Sequence, residues 1–257
     1  LFGLNIIEAP IDKDYYTVDV DQLRELALKE RPKLITLGGS LNLFEHPVSE
    51  VSSIAKEVGA RLLFDAAHQC GLIAGEAWEN PLDHGADLVT MSTYKSLGGP
   101  PGGVIVTNDP EIAKKIDGIA FPGMTANFDA AKSAALAVTM LDWQDYGKKY
   151  VAEMVLMAKT LASCLEDYDV PVFFGALGHT QSHQFAVLAD KYQGGQEVSK
   201  LLRKSGFLAC GIGLPVQDIE GDMNGVRFGT PELVRWGMKA KHSNKLAGLI
   251  AKALKGH

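Results

Sequence analysis

The chain holds only three cysteines, Cys70, Cys164 and Cys210, in 257 residues. They are too few and too scattered for a disulfide framework or a cysteine-ligated zinc site. They read as buried apolar thiols in a reducing, cytoplasmic setting. No stretch is rich in lysine or arginine, and the formal net charge is −6. Binding to nucleic acid rests on a basic face, so no nucleic-acid partner is predicted. No apolar run reaches the roughly 20 residues of a membrane span. No secretory signal pattern opens the sequence as given, and no membrane partner is predicted. The remaining composition is ordinary for a globular protein, with 46% hydrophobic and 22% charged residues. That balance excludes disorder as the main state. The first residue is Leu1 rather than Met, and the chain reads as a mature product or a fragment of something longer.

Strands and helices alternate in the first half. Strand-like runs occur at Leu4 to Glu8, Lys33 to Leu37, Arg61 to Phe64, Asp87 to Ser92 and Gly103 to Thr107. Between them, Val20, Leu23, Leu26 and Ala27 recur at helical spacing behind a capping Asp19. Val51, Ile54, Ala55 and Val58 do the same between Pro47 and Gly59. Apolar strands separated by helices predict an α/β fold with a mostly parallel sheet covered by helices on both faces. Beyond Phe121-Pro122-Gly123 the pattern changes. Two Ala-rich helices, Asn127 to Trp143 and Lys148 to Leu165, lead into short strands at Val172 to Phe174, Gln184 to Leu188 and Gly225 to Phe228, with a helix near Gln196 to Lys204. This predicts a large domain over residues 1–125, then a connecting helix and smaller α+β domain over 126–257.

Ligands of open α/β sheets sit at the carboxyl ends of strands. Those ends carry Ser40, Asp65 with His68, and Ser92-Thr93-Tyr94-Lys95. A lysine directly after an apolar strand is either a snorkelling strand-end residue or a functional amine. Desolvation there favours the neutral, nucleophilic form able to make a Schiff base. Asp65 alone reads as a cap or loop residue. Paired with such a lysine it could keep the ring nitrogen of pyridoxal 5′-phosphate (PLP) protonated. The glycine-rich stretch Gly98 to Gly103 is neither a P-loop nor a dinucleotide fingerprint. Arg227 is either a surface ion-pair partner or a bidentate clamp for a substrate carboxylate. His179 and His183 have i, i+4 spacing without the Glu of a helical zinc motif, and no metal is predicted.

These pieces occur together and in order in one family. The sequence resembles the serine (glycine) hydroxymethyltransferases, PLP enzymes of aspartate aminotransferase fold type. The resemblance rests on Arg31-Pro32-Lys33-Leu34-Ile35, Phe64-Asp65-Ala66-Ala67-His68, Thr93 to Gly103, Phe121-Pro122-Gly123 and Val226 to Pro231. It implies that Lys95 carries the cofactor, that Asp65 meets its ring nitrogen and that His68 and Ser40 contact the ring hydroxyl region. Ser92 and Thr93 would help seat the cofactor, and Arg227 would hold the substrate α-carboxylate. It also implies a small amino-acid substrate, a homodimer, bond cleavage or formation at Cα of serine-type β-hydroxy amino acids, and tetrahydrofolate as a co-substrate. Departures bear on that last point. Tyr94 stands where most members have His, and Arg235 is followed by Trp236 rather than the usual arrangement after Gly-Thr-Pro. Met124 to Phe128 replaces a glycine-rich tail, so Thr125 and Asn127 stand where the family reaches the partner subunit's phosphate. A folate-independent threonine aldolase or transaldolase, an enzyme for α-methylserine, and a non-catalytic scaffold remain open beside the hydroxymethyltransferase. Family members also carry an N-terminal stretch before the point matching Leu1, expected here from the same or another chain.

Overall fold

The computed structural model describes residues 3–256. A two-residue hairpin, β1 (Ile11–Asp12) with β2 (Thr17–Val18), leads into helix α1 (Val20–Glu30). The Asp19 side chain accepts from the Gln22 backbone N–H and so satisfies one free donor of the first turn. Then follow β3 (Leu34–Gly38), α2 (Val48–Val58), β4 (Arg61–Asp65), α3 (Cys70–Ala74), β5 (Leu88–Ser92) and β6 (Gly103–Val106). Strands pair in the order β3-β4-β5-β6; the first three are parallel and β6 runs antiparallel at the edge.

One face of this sheet packs on α1 and α2. Leu23, Ala27, Val51, Ile54 and Ala55 meet Ile35, Leu37, Leu62, Phe64 and Val89 in one buried cluster. The sequence predicted cover on both faces. On the other face Leu34 and Ile105 stay 49% and 51% exposed, so that face is bare at these positions. The expected strand at Leu4 to Glu8 is also absent. Leu4 and Ile6 are largely exposed, and no neighbouring strand takes up their backbone groups.

Helix α4 (Pro110–Gly118) follows, and a π-type turn over Ile119–Met124 leads to α5 (Ala130–Glu166). The sequence predicted two helices where α5 runs unbroken for 37 residues. Gly147, between the two expected helices, is buried against the Trp143 ring, where a Cβ would lie 2.5 Å from the indole. A glycine inside a helix costs about 1 kcal/mol, and here it makes room for the indole.

The second sheet is antiparallel and three-stranded. It comprises β7 (Gln184–Leu188), β8 (Cys210–Ile212) and β9 (Gly225–Gly229) in the order β7-β9-β8. Helices α6 (Gly195–Lys204) and α8 (Ser243–Leu254) and the last turns of α5 close over it. Their core includes Leu161, Leu165, Phe185, Val187, Leu202, Val226 and Ile250. Short α7 (Pro231–Arg235) continues directly from β9. The expected strand at Val172 to Phe174 is reduced to a single bridge, Val172 to Val187. No helix among the described residues is long and apolar enough to cross a membrane.

Candidate active site

A cleft of about 920 Å³ opens where the two sheets meet. Lys95, His68 and Arg227 all line it. They come from the loop after β5, the loop after β4 and the middle of strand β9, so strand-end loops of the first sheet and a strand of the second converge on one space. Tyr94, Tyr150, His183, Gln184, Cys210 and Arg235 share the lining.

Lys95 is half-buried in a tight turn. Its N–H donates to the Ser92 carbonyl, and its own carbonyl accepts from Gly98 N. Thr93 is buried, and its hydroxyl donates to the Pro100 carbonyl at 2.5 Å. That bond ties the start of the lysine turn to the glycine-proline stretch. Ser96 is buried as well; its Oγ donates to the His68 carbonyl at 2.5 Å and accepts from Gly71 N at 2.9 Å. Gly71 is required there, because a Cβ would fall 2.7 Å from the Ser96 carbonyl. The lysine loop and the His68 loop are thus bolted together.

Asp65 ends β4 and is half-buried. Its Oδ1 accepts from Ala67 N at 2.9 Å, leaving Oδ2 without a partner among the described residues. A carboxylate fixed by one oxygen and free at the other suits a proton-holding role. Asp65, Ser92 and Thr93 are not among the residues that line the cleft. Ser92 contributes its carbonyl, which accepts from the buried Cys70 thiol. Ser40 is exposed, and it is joined to the cleft through its backbone: the carbonyl accepts from Arg227 Nη1 at 2.5 Å and from Gln184 Nε2 at 3.4 Å.

Burial pushes the His68 imidazole down to about 4, and the Arg227 and Lys95 cations add to the effect. His183 is pushed further, to about 3, again by burial first and then by His68 and Arg227. Both rings are therefore neutral near pH 7. His179 does not join them; its Nε2 lies 3.0 Å from Glu166 Oε2. The thiols need one correction. Cys70 is buried, whereas Cys164 and Cys210 are half-buried, and Cys210 faces the cleft because it lies on the short strand β8 that the sequence reading missed.

Sequence reasoning passed over Gln184 and Tyr150, and it noted Arg235 only as a departure from the family pattern. The Tyr150 hydroxyl donates to the Pro231 carbonyl at 2.7 Å, and Arg235 Nη1 reaches the Gly98 carbonyl at 3.4 Å. Gln184 left a signal in the sequence: it is one amide at the start of the otherwise apolar run Phe185-Ala186-Val187-Leu188.

The fold defines an α/β protein with a cleft, lined by Lys95, His68 and Arg227, at the carboxyl ends of parallel strands β4 and β5, where open sheets of this kind bind their ligands. The chain belongs to the serine hydroxymethyltransferase family, whose model matches residues 3–250. It is 59% identical over 256 residues to an alpha-methylserine aldolase of Ralstonia sp and 54% identical to one of Variovorax paradoxus; both alignments cover all of this chain and 58% of the relative. A serine hydroxymethyltransferase of Sulfolobus acidocaldarius is 41% identical over 250 residues, covering 96% of this chain and 58% of that protein. The chain thus spans a little under three fifths of the length of these curated relatives.

Proposed function

We propose that this chain carries the lysine, carboxylate and arginine of a PLP-dependent enzyme that cleaves α-substituted serines without needing tetrahydrofolate. The observation that carries the reading is the convergence of Lys95, His68 and Arg227 on one cleft, with the free Asp65 Oδ2 at the adjoining strand end. These residues fit PLP: an amine to hold its aldehyde, a carboxylate for its ring nitrogen and an imidazole for its hydroxyl side. When bound, PLP supplies an electron sink for the bond broken at Cα.

The protein's own groups would do the rest. Lys95 holds the cofactor covalently, and Asp65 keeps a proton on the ring nitrogen. Neutral His68 offers a hydrogen bond without adding charge. Arg227 orients the substrate by its α-carboxylate, while Ser40, Ser92 and Thr93 hold these loops in register. In the reaction the Cα–Cβ bond breaks, the β-hydroxyl gives up its proton as its carbon leaves as an aldehyde, and Cα gains a proton. α-Methylserine would give alanine and formaldehyde; serine would give glycine and formaldehyde. Atoms balance without a folate acceptor. The two aldolase relatives support the α-substituted substrate over serine itself.

A homodimer in a reducing, cytoplasmic compartment fits this reading, as does a division into two domains near residue 125. Phe121, Met124, Phe128, Val138 and Leu141 are each more than half exposed along the approach to α5 and its first turns, a surface suited to a second copy or to further chain. The test is formaldehyde release from α-methylserine, serine and threonine, with and without tetrahydrofolate, by protein of the relatives' full length. Release from α-methylserine without folate supports the proposal. A strict folate requirement, or a protein that never takes up PLP, overturns it.

A further inference from the structure

Gln184 lies at the seam between the two sheets and is 3% exposed. It opens β7 opposite Gly229, and Arg227 stands two residues along the paired strand, opposite Ala186. Its side-chain amide makes two contacts. Nε2 lies 3.4 Å from the Ser40 carbonyl, the same oxygen that Arg227 holds, and 3.2 Å from His68 Nδ1. The Ser40 carbonyl only accepts, so the group facing it is the NH₂ end of the amide. The second N–H of that group then points at Nδ1, which must accept. Gln184 Oε1 has no partner among the described residues; the opposite amide orientation would set that oxygen against the Ser40 carbonyl oxygen, which cannot donate.

We propose that Gln184 is a positioning residue that locks His68 in one tautomer, with Nδ1 bare and the proton on Nε2, the nitrogen left to the cleft. The proposal rests on the reading of this cleft as a PLP site only for its catalytic consequence; the tautomer itself follows from the hydrogen bonds. His68 has a single proton to place, because burial and the nearby Arg227 and Lys95 cations keep its ring neutral. The other groups against it are His183, also neutral, and Ser96, whose hydroxyl is engaged by the His68 carbonyl. No carboxylate is among the groups that shift His68. The Gln184 amide is therefore the one recorded partner of Nδ1 among the described residues, and it works as a donor. An Nε2–H fixed in this way presents a donor, not an acceptor, to whatever occupies the cleft. A site that must receive an anionic ring oxygen gains from a neutral donor that cannot swap its proton to the far nitrogen.

The test is long-range ¹⁵N–¹H correlation of histidine-labelled full-length protein, free of cofactor and loaded with PLP, with His68→Asn used for assignment. The expected result is a bare Nδ1 and a protonated Nε2 in the wild type. Gln184→Glu replaces the donor by an acceptor, so the proton should move to Nδ1 and the ring should titrate at higher pH. Gln184→Met should release a mixture of both tautomers. In the PLP-loaded enzyme both variants should lose about ten-fold or more in kcat, the scale for groups that orient another side chain. KM for the amino acid should shift less than about three-fold, because Arg227 keeps its hold on Ser40. A purely structural amide would lower stability without moving the ¹⁵N pattern. A wild-type proton on Nδ1, or an unchanged pattern in Gln184→Glu, overturns the proposal. The expected pattern in a protein that takes up no PLP supports it and overturns instead the reading of the cleft.

Discussion

Arg227 and Ser40, 187 residues apart, are joined by a hydrogen bond from the guanidinium Nη1 to the Ser40 carbonyl. The bond links strand β9 of the second sheet to the loop after β3 of the first. It leaves the remaining guanidinium donors for a ligand, since Arg227 also lines the cleft. One nitrogen is anchored, so the orientation of the fork is set before any carboxylate arrives.

Arg227→Ala should therefore raise KM for the amino acid while PLP stays bound. Loss of one partner of a charge-assisted contact costs roughly 2–5 kcal/mol, or about 30-fold to several-thousand-fold in KM. Steady-state kinetics beside the absorbance of bound cofactor check this. An unchanged KM would remove Arg227 from the substrate site.

Lys95→Ala should abolish the yellow colour and the borohydride-reducible adduct. The turn itself is held by backbone bonds from Lys95 N and Gly98 N and by the Thr93 hydroxyl. The variant should consequently melt close to the wild type. A reducible adduct that persists at another lysine would sink the assignment.

Asp65→Asn should leave PLP bound, because Oδ1 keeps its bond from Ala67 N. Turnover should fall by roughly a hundred-fold or more, the scale for loss of a positioned proton-holding group. Single-turnover kinetics and a cofactor-binding titration separate the two effects. Wild-type turnover would contradict the role given to this carboxylate.

Acid should weaken the fold well before the carboxylates titrate. His183 binds its proton at about 3 when folded against about 6.5 when unfolded, because burial, His68 and Arg227 oppose the charge. The unfolded state thus holds more protons, and stability present above pH 6.5 is lost as pH falls towards 3. His183 alone accounts for about 1.4 kcal/mol per pH unit in that window. His46, pushed down to about 4 by burial, and His68 act in the same direction. Urea unfolding at pH 7.5, 6 and 5 should show this slope, and His183→Gln should flatten it. A pH-independent midpoint would refute the account.

Local pattern carried much of the architecture. The Asp19 cap, the stop at Gly59 and strands β3 to β7 follow from periodicity and punctuation that act within a few residues. Leu4 to Glu8 did not become a strand, because alternation states a preference while pairing needs a neighbour. α5 was read as two helices, ending at Trp143 and resuming at Lys148, whereas the packing of Gly147 against the Trp143 ring inside one helix is visible only in three dimensions. The site divides the same way. Lys95, Asp65 and His68 stood out as polar groups at or just beyond the ends of apolar runs, and Arg227 as a cation within one. Gln184 and Tyr150 act through bonds to His68 and Pro231, made only once the sheets meet. Ser40 was expected at the hydroxyl region of the cofactor ring, and in the structure its backbone carbonyl holds the arginine.

The unbroken α5 fixes a dimension. The Trp143 indole donates to the Leu97 carbonyl beside the lysine turn, and the Thr230 hydroxyl just beyond β9 donates to the Met154 carbonyl. Eleven residues of helix separate those two attachment points, about 16 Å of rigid rod. The amine and the guanidinium are therefore spaced by a ruler rather than a hinge. Ligands of different size must be accommodated by side chains at the rim, such as exposed Tyr94 and Trp236, and not by swinging one sheet away from the other.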